Sequence, residues 1–332
     1  DLLNGINIVL KAVPSKTTMP ILECILIDAS DNQIKLTAND MELGIETKVE
    51  GSILSKGKIA LDAKLLSEII RKLSGGESDI TIESDEKYNT TITCDNSVFH
   101  IQGKNGDEFS YLPFIEKDHF ICLSQFTLKE VIRQTLFSIS VNDSNKMMTG
   151  ELFQVTDNEL KVVSLDGHRM SIRKIELKDH YENTKVIVPG KTLSEISKIL
   201  GGDNEKEVLI YFSANHILFE FDNTRVVSRL LEGEYYKISQ MLSSDYETKI
   251  TINKKEFLNC IDRASLLIRE SDKKPIIINI ADGSMELKIK SQIGSMDEEI
   301  IISKEGRDLL IGFNPKFLID ALRVIEDEQV DL

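Results

Sequence analysis

The chain has 332 residues, 41% of them hydrophobic and 29% charged, which excludes a disordered polymer and calls for two or three cores at roughly 100–200 residues per domain. Its formal charge of -15, from 40 Lys and Arg against 55 Asp and Glu, excludes a generally basic protein, so any polyanion must meet a local stripe of cations. No apolar run approaches the ~20 residues of a membrane-crossing helix, and Cys24, Cys94, Cys122 and Cys260 stand far apart without metal-ligand spacing, as buried thiols in a reducing cytoplasm would.

In chain order, Leu2-Leu3-Asn4-Gly5-Ile6 opens an amphipathic helix, and Asp31-Asn32-Gln33-Ile34-Lys35-Leu36 reads as a turn entering a strand. Asp62 then starts a helix through Lys64-Leu65-Leu66-Ser67-Glu68-Ile69-Ile70-Arg71, closed by Gly75-Gly76. After a join near Pro113 to His119 the series returns: a helix at Leu128-Lys129-Glu130-Val131-Ile132, a turn and strand at Asp157-Asn158-Glu159-Leu160-Lys161-Val162, and a helix at Lys191 to Lys198 between Pro189 and Gly201-Gly202. A second join near Leu242 to Glu247 precedes a third series, with Phe257-Leu258-Asn259-Cys260-Ile261, Met285-Glu286-Leu287-Lys288-Ile289, and Lys316 to Arg323 behind Asn314-Pro315.

The second helices share the pattern K-x-L-x-[E/D]-x-x-[R/K], with 127 residues from Lys64 to Lys191 and 125 from Lys191 to Lys316. Three elements recurring in one order make an internal repeat. Because helices and strands do not alternate one for one, the class is α+β with antiparallel sheets. The expected domains are 1–114, 119–242 and 247–332. The period calls for roughly 35–40 further residues in the third copy, which is therefore expected to be truncated, and the start at Asp1 rather than Met leads us to expect a preceding segment.

Met19-Pro20-Ile21-Leu22, Ser164-Leu165-Asp166-Gly167-His168-Arg169-Met170, Val188-Pro189 and Ile311-Gly312-Phe313-Asn314, in order and in register with the repeat, resemble the bacterial DNA polymerase III beta subunit, or sliding clamp. The resemblance covers essentially the whole chain. It implies the DNA clamp fold: three similar domains, each with two helices packed on antiparallel sheets, and two chains joined head to tail in a ring with helices lining the hole. It implies a non-enzymatic, cytoplasmic processivity factor that encircles duplex DNA. Its partners would be the polymerase III catalytic subunit, the clamp loader, other proteins bearing clamp-binding motifs and a second copy of the chain. No cofactor or metal is implied.

The first and last residues of the helix pattern are seven apart, close to two turns, so both cations share one face. Under the resemblance Lys64, Arg71, Lys191, Lys198, Lys316 and Arg323 would face the hole, joined by Lys11, Lys16, Arg133, Lys146, Arg263 and Arg269 from the first helices and the loops after them. Diffuse attraction to phosphates suits a clamp, since base-edge contacts would pin it to one sequence.

Asp166-Gly167-His168-Arg169 superficially looks like a catalytic loop, but no nucleophile-and-base motif accompanies it, and Asp-Gly is an ordinary turn signal. In the family the loop walls a hydrophobic peptide pocket between the second and third domains. Carried over, the wall comprises Met147, Met148, Leu165, Gly167, His168, Arg169, Met170, Tyr236, Gln240, Met241, Asn314 and Phe317; many members have Pro at the position of Tyr236 and Arg at that of Gln240. Methionines suit a groove that accepts several partners. For the ring interface the resemblance points to Phe99 and Ile101 meeting Leu266 and Leu267, with Asp297, Glu298 and Glu299 facing basic groups on the partner. The alternative is a peptide-binding scaffold of the same fold that works away from DNA.

Overall fold

The computed structural model describes residues 1–73, 79–142, 144–242, 245–268 and 274–332; Gly75-Gly76, Arg269 and positions 243–244 of the second join lie outside the described residues. Contacts along the backbone divide the chain into two units, Asp1–Gly233 and Glu234–Leu332.

In the first unit, α1 (Leu2–Val9) buries Gly5, Ile6 and Val9. It lies so close to the sheet that a Cβ on Gly5 would fall 2.3 Å from Val49 Cγ1, a separation only glycine allows. Strands β1 (Cys24–Asp28), β2 (Ile34–Asn39), β3 (Leu43–Val49) and β4 (Lys58–Asp62) follow. Asp62 then accepts the Leu65 N–H at 2.7 Å and starts α2 (Ala63–Leu73), whose buried stripe is Leu66, Ile69 and Ile70. A separate antiparallel sheet is formed by β5 (Thr81–Ser84), β6 (Asn89–Cys94) and β7 (Ser97–Gln102), with β7 at one edge.

The first copy ends with β8 (Lys104–Asn105), and the second contributes β9 (Phe120–Ser124), α3 (Gln125–Thr135), β10 (Gly150–Leu165), β11 (Met170–Pro189), α4 (Gly190–Ile199), β12 (Glu207–Phe212), β13 (His216–Phe221) and β14 (Thr224–Arg229). Nine strands form one sheet in the order β8-β4-β1-β2-β3-β14-β13-β12-β9, so the copies fuse at β3 and β14. On the core face of that seam the Thr47 and Thr224 hydroxyls meet at 2.9 Å, and on the other face Arg225 bonds Glu220 at 3.0 Å and lies 3.7 Å from Glu46. Residues 109–119 strap this second face. Phe109 packs with Cys24, Leu26 and Ala60, Leu112 lies where a Cβ on Gly44 would be, and Ile115 is buried with Tyr211, Leu218 and Val227. The helices α1 to α4 pack on the opposite, apolar face, where one continuous core spans both copies.

The second unit carries β15 (Thr248–Asn253), α5 (Lys254–Ser265), β16 (Ile276–Ala281), β17 (Ser284–Lys290), β18 (Ser295–Ile301), β19 (Ser303–Gly306), β20 (Leu309–Phe313), α6 (Pro315–Val324) and β21 (Gln329–Asp331). Its sheets run β19-β15-β21 and β18-β17-β16-β20, and α5 packs on α6 over a core of its own that includes Ile250, Phe257, Ile278 and Leu287.

The repeat is also written in the backbone. Asn32, Asp157 and Gly283 all have left-handed φ, of 60°, 56° and 78°, as do Asp95 and Asp222 at hairpin turns. These are residue types that tolerate that region. The expected turn at Asp157-Asn158 differs in form, however: Asp157 sits within β10 at a register shift of its ladder with β11. An extra-residue irregularity there continues the strand where the first copy turns back. Cys122 is only half-buried, unlike the other three thiols.

Candidate nucleic-acid and peptide interfaces

Each second helix presents its cation pair to solvent. Lys64 and Arg71 on α2, Lys191 and Lys198 on α4, and Lys316 and Arg323 on α6 are exposed, while Leu66, Leu193 and Ile319 of the same helices are buried. Arg71, Arg133, Lys198, Arg263 and Arg323 all lie in the last turn of a helix, where the carbonyl end of the dipole favours positive charge. Lys11, Lys16 and Lys146 are also exposed.

Their partners differ. Lys191 reaches the nearly buried Asp40 carboxylate in the β2–β3 loop, Lys198 bonds Glu195 at 2.7 Å, Arg323 lies 3.4 Å from Asp262, and Arg71 donates to Ser67 Oγ at 3.3 Å. Among the described residues Lys64 and Lys316 have no ion-pair partner. Arg133 is forked onto Glu130, with Nε at 2.9 Å. Arg263 is forked onto Glu298 of β18, with Nε at 2.9 Å. The Arg263 hydrogen bond holds the Glu298 carboxyl below the usual range, and the carboxylate in turn raises the guanidinium. Beneath them burial, with help from the Glu298 charge, pushes the Cys260 thiol up to about 12, so it is inert at neutral pH.

The Asp166-Arg169 loop joins β10 to β11. Asp166 Oδ1 accepts the N–H groups of His168 at 2.9 Å and Arg169 at 3.1 Å, and Oδ2 accepts Arg169 Nε at 3.1 Å. The carboxylate is thus spent on closing a turn in which Gly167 has φ of +90°. Arg169 also donates from Nη2 to the Phe137 carbonyl at 2.7 Å and stacks over the Phe137 ring at 5.4 Å. That anchor carries no sequence signal, because a main-chain acceptor can be any residue. Met147, Met148 and Met170 are half-buried near the surface, Leu165 is buried, Gly167 and His168 are exposed, and Met147 Sδ lies 3.1 Å from where a Cβ on Gly233 would be. In the second unit Tyr236 and Phe317 are half-buried, and Gln240, Met241 and Asn314 are exposed, with Asn314 Oδ1 capping α6 through the Lys316 N–H at 3.0 Å.

Of the interface residues, Phe99 and Ile101 lie on one face of the edge strand β7 and pack, half-buried, on the core of their own unit. Leu266 is 78% exposed just after α5, and Leu267 packs on the second unit's core. The acidic run does not face one way. Strand alternation turns Glu298 toward Arg263 and leaves Asp297 and Glu299 exposed on the opposite side of the edge strand β18.

Among the described residues no group of three or more His, Cys, Asp or Glu could hold a metal, and no helix is long and apolar enough to cross a membrane. Helix pairs laid on antiparallel sheets, repeated at one period and presenting cations, make up the sliding-clamp fold. A putative DNA polymerase III beta subunit from Eubacterium rectale superposes with a TM-score of 0.97 at 65% identity, and the Bacillus subtilis DNA polymerase sliding clamp with 0.96 at 37%, each over 99% of this chain and 89% of its own. The beta sliding clamp of Staphylococcus epidermidis is 37% identical over 99% of this chain and 89% of its length. Family models for the N-terminal, central and C-terminal domains of the DNA polymerase III beta subunit match residues 1–113, 122–237 and 239–332. The chain belongs to the DNA polymerase III beta subunit family, the processivity factors of DNA polymerase.

Proposed function

We propose that two copies of this chain close head to tail around duplex DNA and hold a replicative polymerase to it, catalysing nothing themselves and working in the cytoplasm. The observation that carries the reading is the cation pair that recurs, exposed, on α2, α4 and α6 at the period of the fold. A helix face of mobile Lys and Arg attracts phosphate at every register equally, which lets a ring slide. Topological linkage then replaces tight binding and keeps the tethered enzyme at high local concentration. Three clamp domains, 1–114, 119–242 and 247–332, supply the three faces.

The ring would close at β7 and β18, whose outer edges carry unpaired backbone groups that invite strand addition. Phe99, Ile101, Leu266, Leu267, Asp297 and Glu299 are assigned to that joint. Short apolar peptides of the polymerase, the clamp loader and other replication factors would dock against Met147, Met148, Leu165, Met170 and the Gly167-His168-Arg169 turn. Tyr236, Gln240, Met241, Asn314 and Phe317 of the second unit are assigned to peptide recognition by the same reading. No observation favours a scaffold that works away from DNA.

The test has two parts, oligomeric mass by sedimentation and retention on circular against linear duplex after loading. A dimer that stays on closed circles and runs off free ends is expected. A monomer at high concentration, or equal release from both DNA forms, refutes the proposal.

A further inference from the structure

Behind the Asp166-Arg169 turn lies a carboxyl group that nothing above uses. Glu151, the second residue of β10, is completely buried. Its Oε2 lies 3.1 Å from Thr135 Oγ1, and among the described residues its Oε1 has no hydrogen-bond partner, nor has the hydroxyl of the buried Ser138. Thr135 has one hydroxyl proton, and Oγ1 is only 2.7 Å from the Val131 carbonyl, which can accept but never donate. The proton therefore belongs on the Val131 bond. The remaining contact is satisfied only if Glu151 is the donor, as a neutral acid giving its O–H to Thr135 Oγ1. The surroundings agree, since the group faces the carbonyl end of α3, where a carboxylate is disfavoured, and burial pushes the acid up to about 8.

This end of α3 holds the turn of the candidate peptide site. Thr135 O accepts Ser164 Oγ at 2.6 Å, Gln134 O accepts Ser171 Oγ at 2.6 Å, and Phe137 O accepts Arg169 Nη2 at 2.7 Å. We propose that Glu151, as a protonated acid clasping Thr135, is a positioning residue that fixes the end of α3, and through the Phe137 carbonyl the Arg169 turn, so that peptide docking weakens when Glu151 ionises. The docking half of this rests on the peptide-site reading above; the clasp itself does not.

Ionisation transfers the Glu151 proton to solvent and leaves two acceptors, carboxylate and Val131 O, competing for the single Thr135 proton. The charged groups on the elements packed around Glu151 do not neutralise it. On α3, Lys129 bonds the Leu200 carbonyl at 3.0 Å and Arg133 is forked onto Glu130. On α4, Lys191 and Lys198 go to Asp40 and Glu195, Glu151 faces Val188 across the β11 ladder, and the turn Leu136–Ser138 carries no charge.

Three measurements test it on the intact chain between about pH 6 and about pH 9.5, a window that brackets the transition. They are the carboxyl resonance of 13C-labelled Glu151, amide exchange at residues 166–170 expressed relative to the base-catalysed intrinsic rate at each pH, and binding of a fluorescein-labelled short apolar peptide. The wild type is expected to titrate near pH 8, with exchange at the turn accelerating and peptide affinity falling roughly tenfold in step, about one pH unit's worth of linkage. Glu151→Gln, whose amide still donates but cannot ionise, is expected to hold both readouts within about twofold over the window. A Glu151 resonance titrating in the ordinary carboxyl range, or Glu151→Gln showing the wild-type acceleration of exchange, overturns the clasp. A peptide that binds at no pH while exchange still follows Glu151 overturns the docking reading and its dependence on Glu151, and leaves the clasp standing.

Discussion

Holding Glu151 neutral should also cost stability in a way that pH exposes. The folded acid keeps its proton to about pH 8, whereas in the unfolded chain it releases it near its ordinary value of 4.5. Between those values the folded state binds the extra proton, so stability falls as pH rises, by about 1.4 kcal/mol per pH unit. From pH 4.5 to pH 7 that amounts to roughly 3 kcal/mol, and the decline levels off above pH 8. Because the residue is completely buried, solvent does not screen the effect. Glu151→Gln carries the same burial and the same donor without the proton linkage. The variant should match the wild type near pH 4.5 and exceed it by roughly 3 kcal/mol at pH 7. Urea unfolding of the full chain followed by far-UV circular dichroism reads this, taking the transition of the first unit; the chain has no Trp, so indole fluorescence is not an option. Titrations common to both proteins cancel in the difference. A difference that stays flat from pH 5 to pH 7 would refute the reasoning.

Replacing Lys191 and Lys198 together by Gln should lower the slope of log affinity for linear duplex against log salt by about 1, short of the nearly 2 expected of two unpaired lysines because both are held in ion pairs; an unchanged slope would remove these residues from the DNA-facing set. Gly44→Ala places a Cβ 2.0 Å from Leu112 Cδ2 and should destabilise the first unit by about 1–3 kcal/mol, with Leu112→Ala in the same chain restoring much of that stability in a double-mutant cycle. Leu266→Asp should weaken self-association in sedimentation while leaving unfolding within about 0.5 kcal/mol, since the side chain is 78% exposed; full retention of the dimer would exclude Leu266 from the joint.

Much of the fold was legible because its signals are local. The Asp62 and Asn314 caps, the 3.6-residue stripes of α2, α4 and α6, and the Asp31-Asn32 turn each depend on a few neighbouring residues, whereas Asp157-Asn158 carries the same local signal within a continuous strand. The fusion of two copies into one sheet was not legible. It depends on Thr47 meeting Thr224, 177 residues away, and no local pattern records which strand edges pair. Within the strap, Pro113 to His119 was read only as a join, although Ile115 is buried in it, because a lone apolar residue in a linker has no periodicity to betray it. For the candidate sites, spacing put the helix cations on one face but was silent on Asp40 and Glu298 as their partners. Alternation along β18 could have warned that Asp297-Glu298-Glu299 would split between two faces.

The partners of the cations bear directly on how DNA attraction coexists with a charge of -15. On the strap face of the large sheet, charges alternate across neighbouring strands. Lys58 and Lys35 stand opposite Asp28 in register, and Glu46, Arg225, Glu220 and Lys117 follow one another at separations of 3.7, 3.0 and 2.7 Å. Those charges are committed to one another. The helix cations are graded instead. Lys64 and Lys316 are unpaired among the described residues, and Lys198 and Arg323 are in exposed single ion pairs that water and salt already weaken. Lys191 is tied to a nearly buried carboxylate, and Arg263 is in a two-bonded fork. A phosphate can take an exposed lysine at little cost but must break a fork to take Arg263. Single neutralisations should therefore lower the salt slope most at Lys64 and Lys316, less at Lys198 and Arg323, and least at Arg263. Parallel measurements of affinity for linear duplex against salt decide it, and an order with Arg263 at the top would mean that the fork opens on DNA and that Glu298, not the helix face, governs that site.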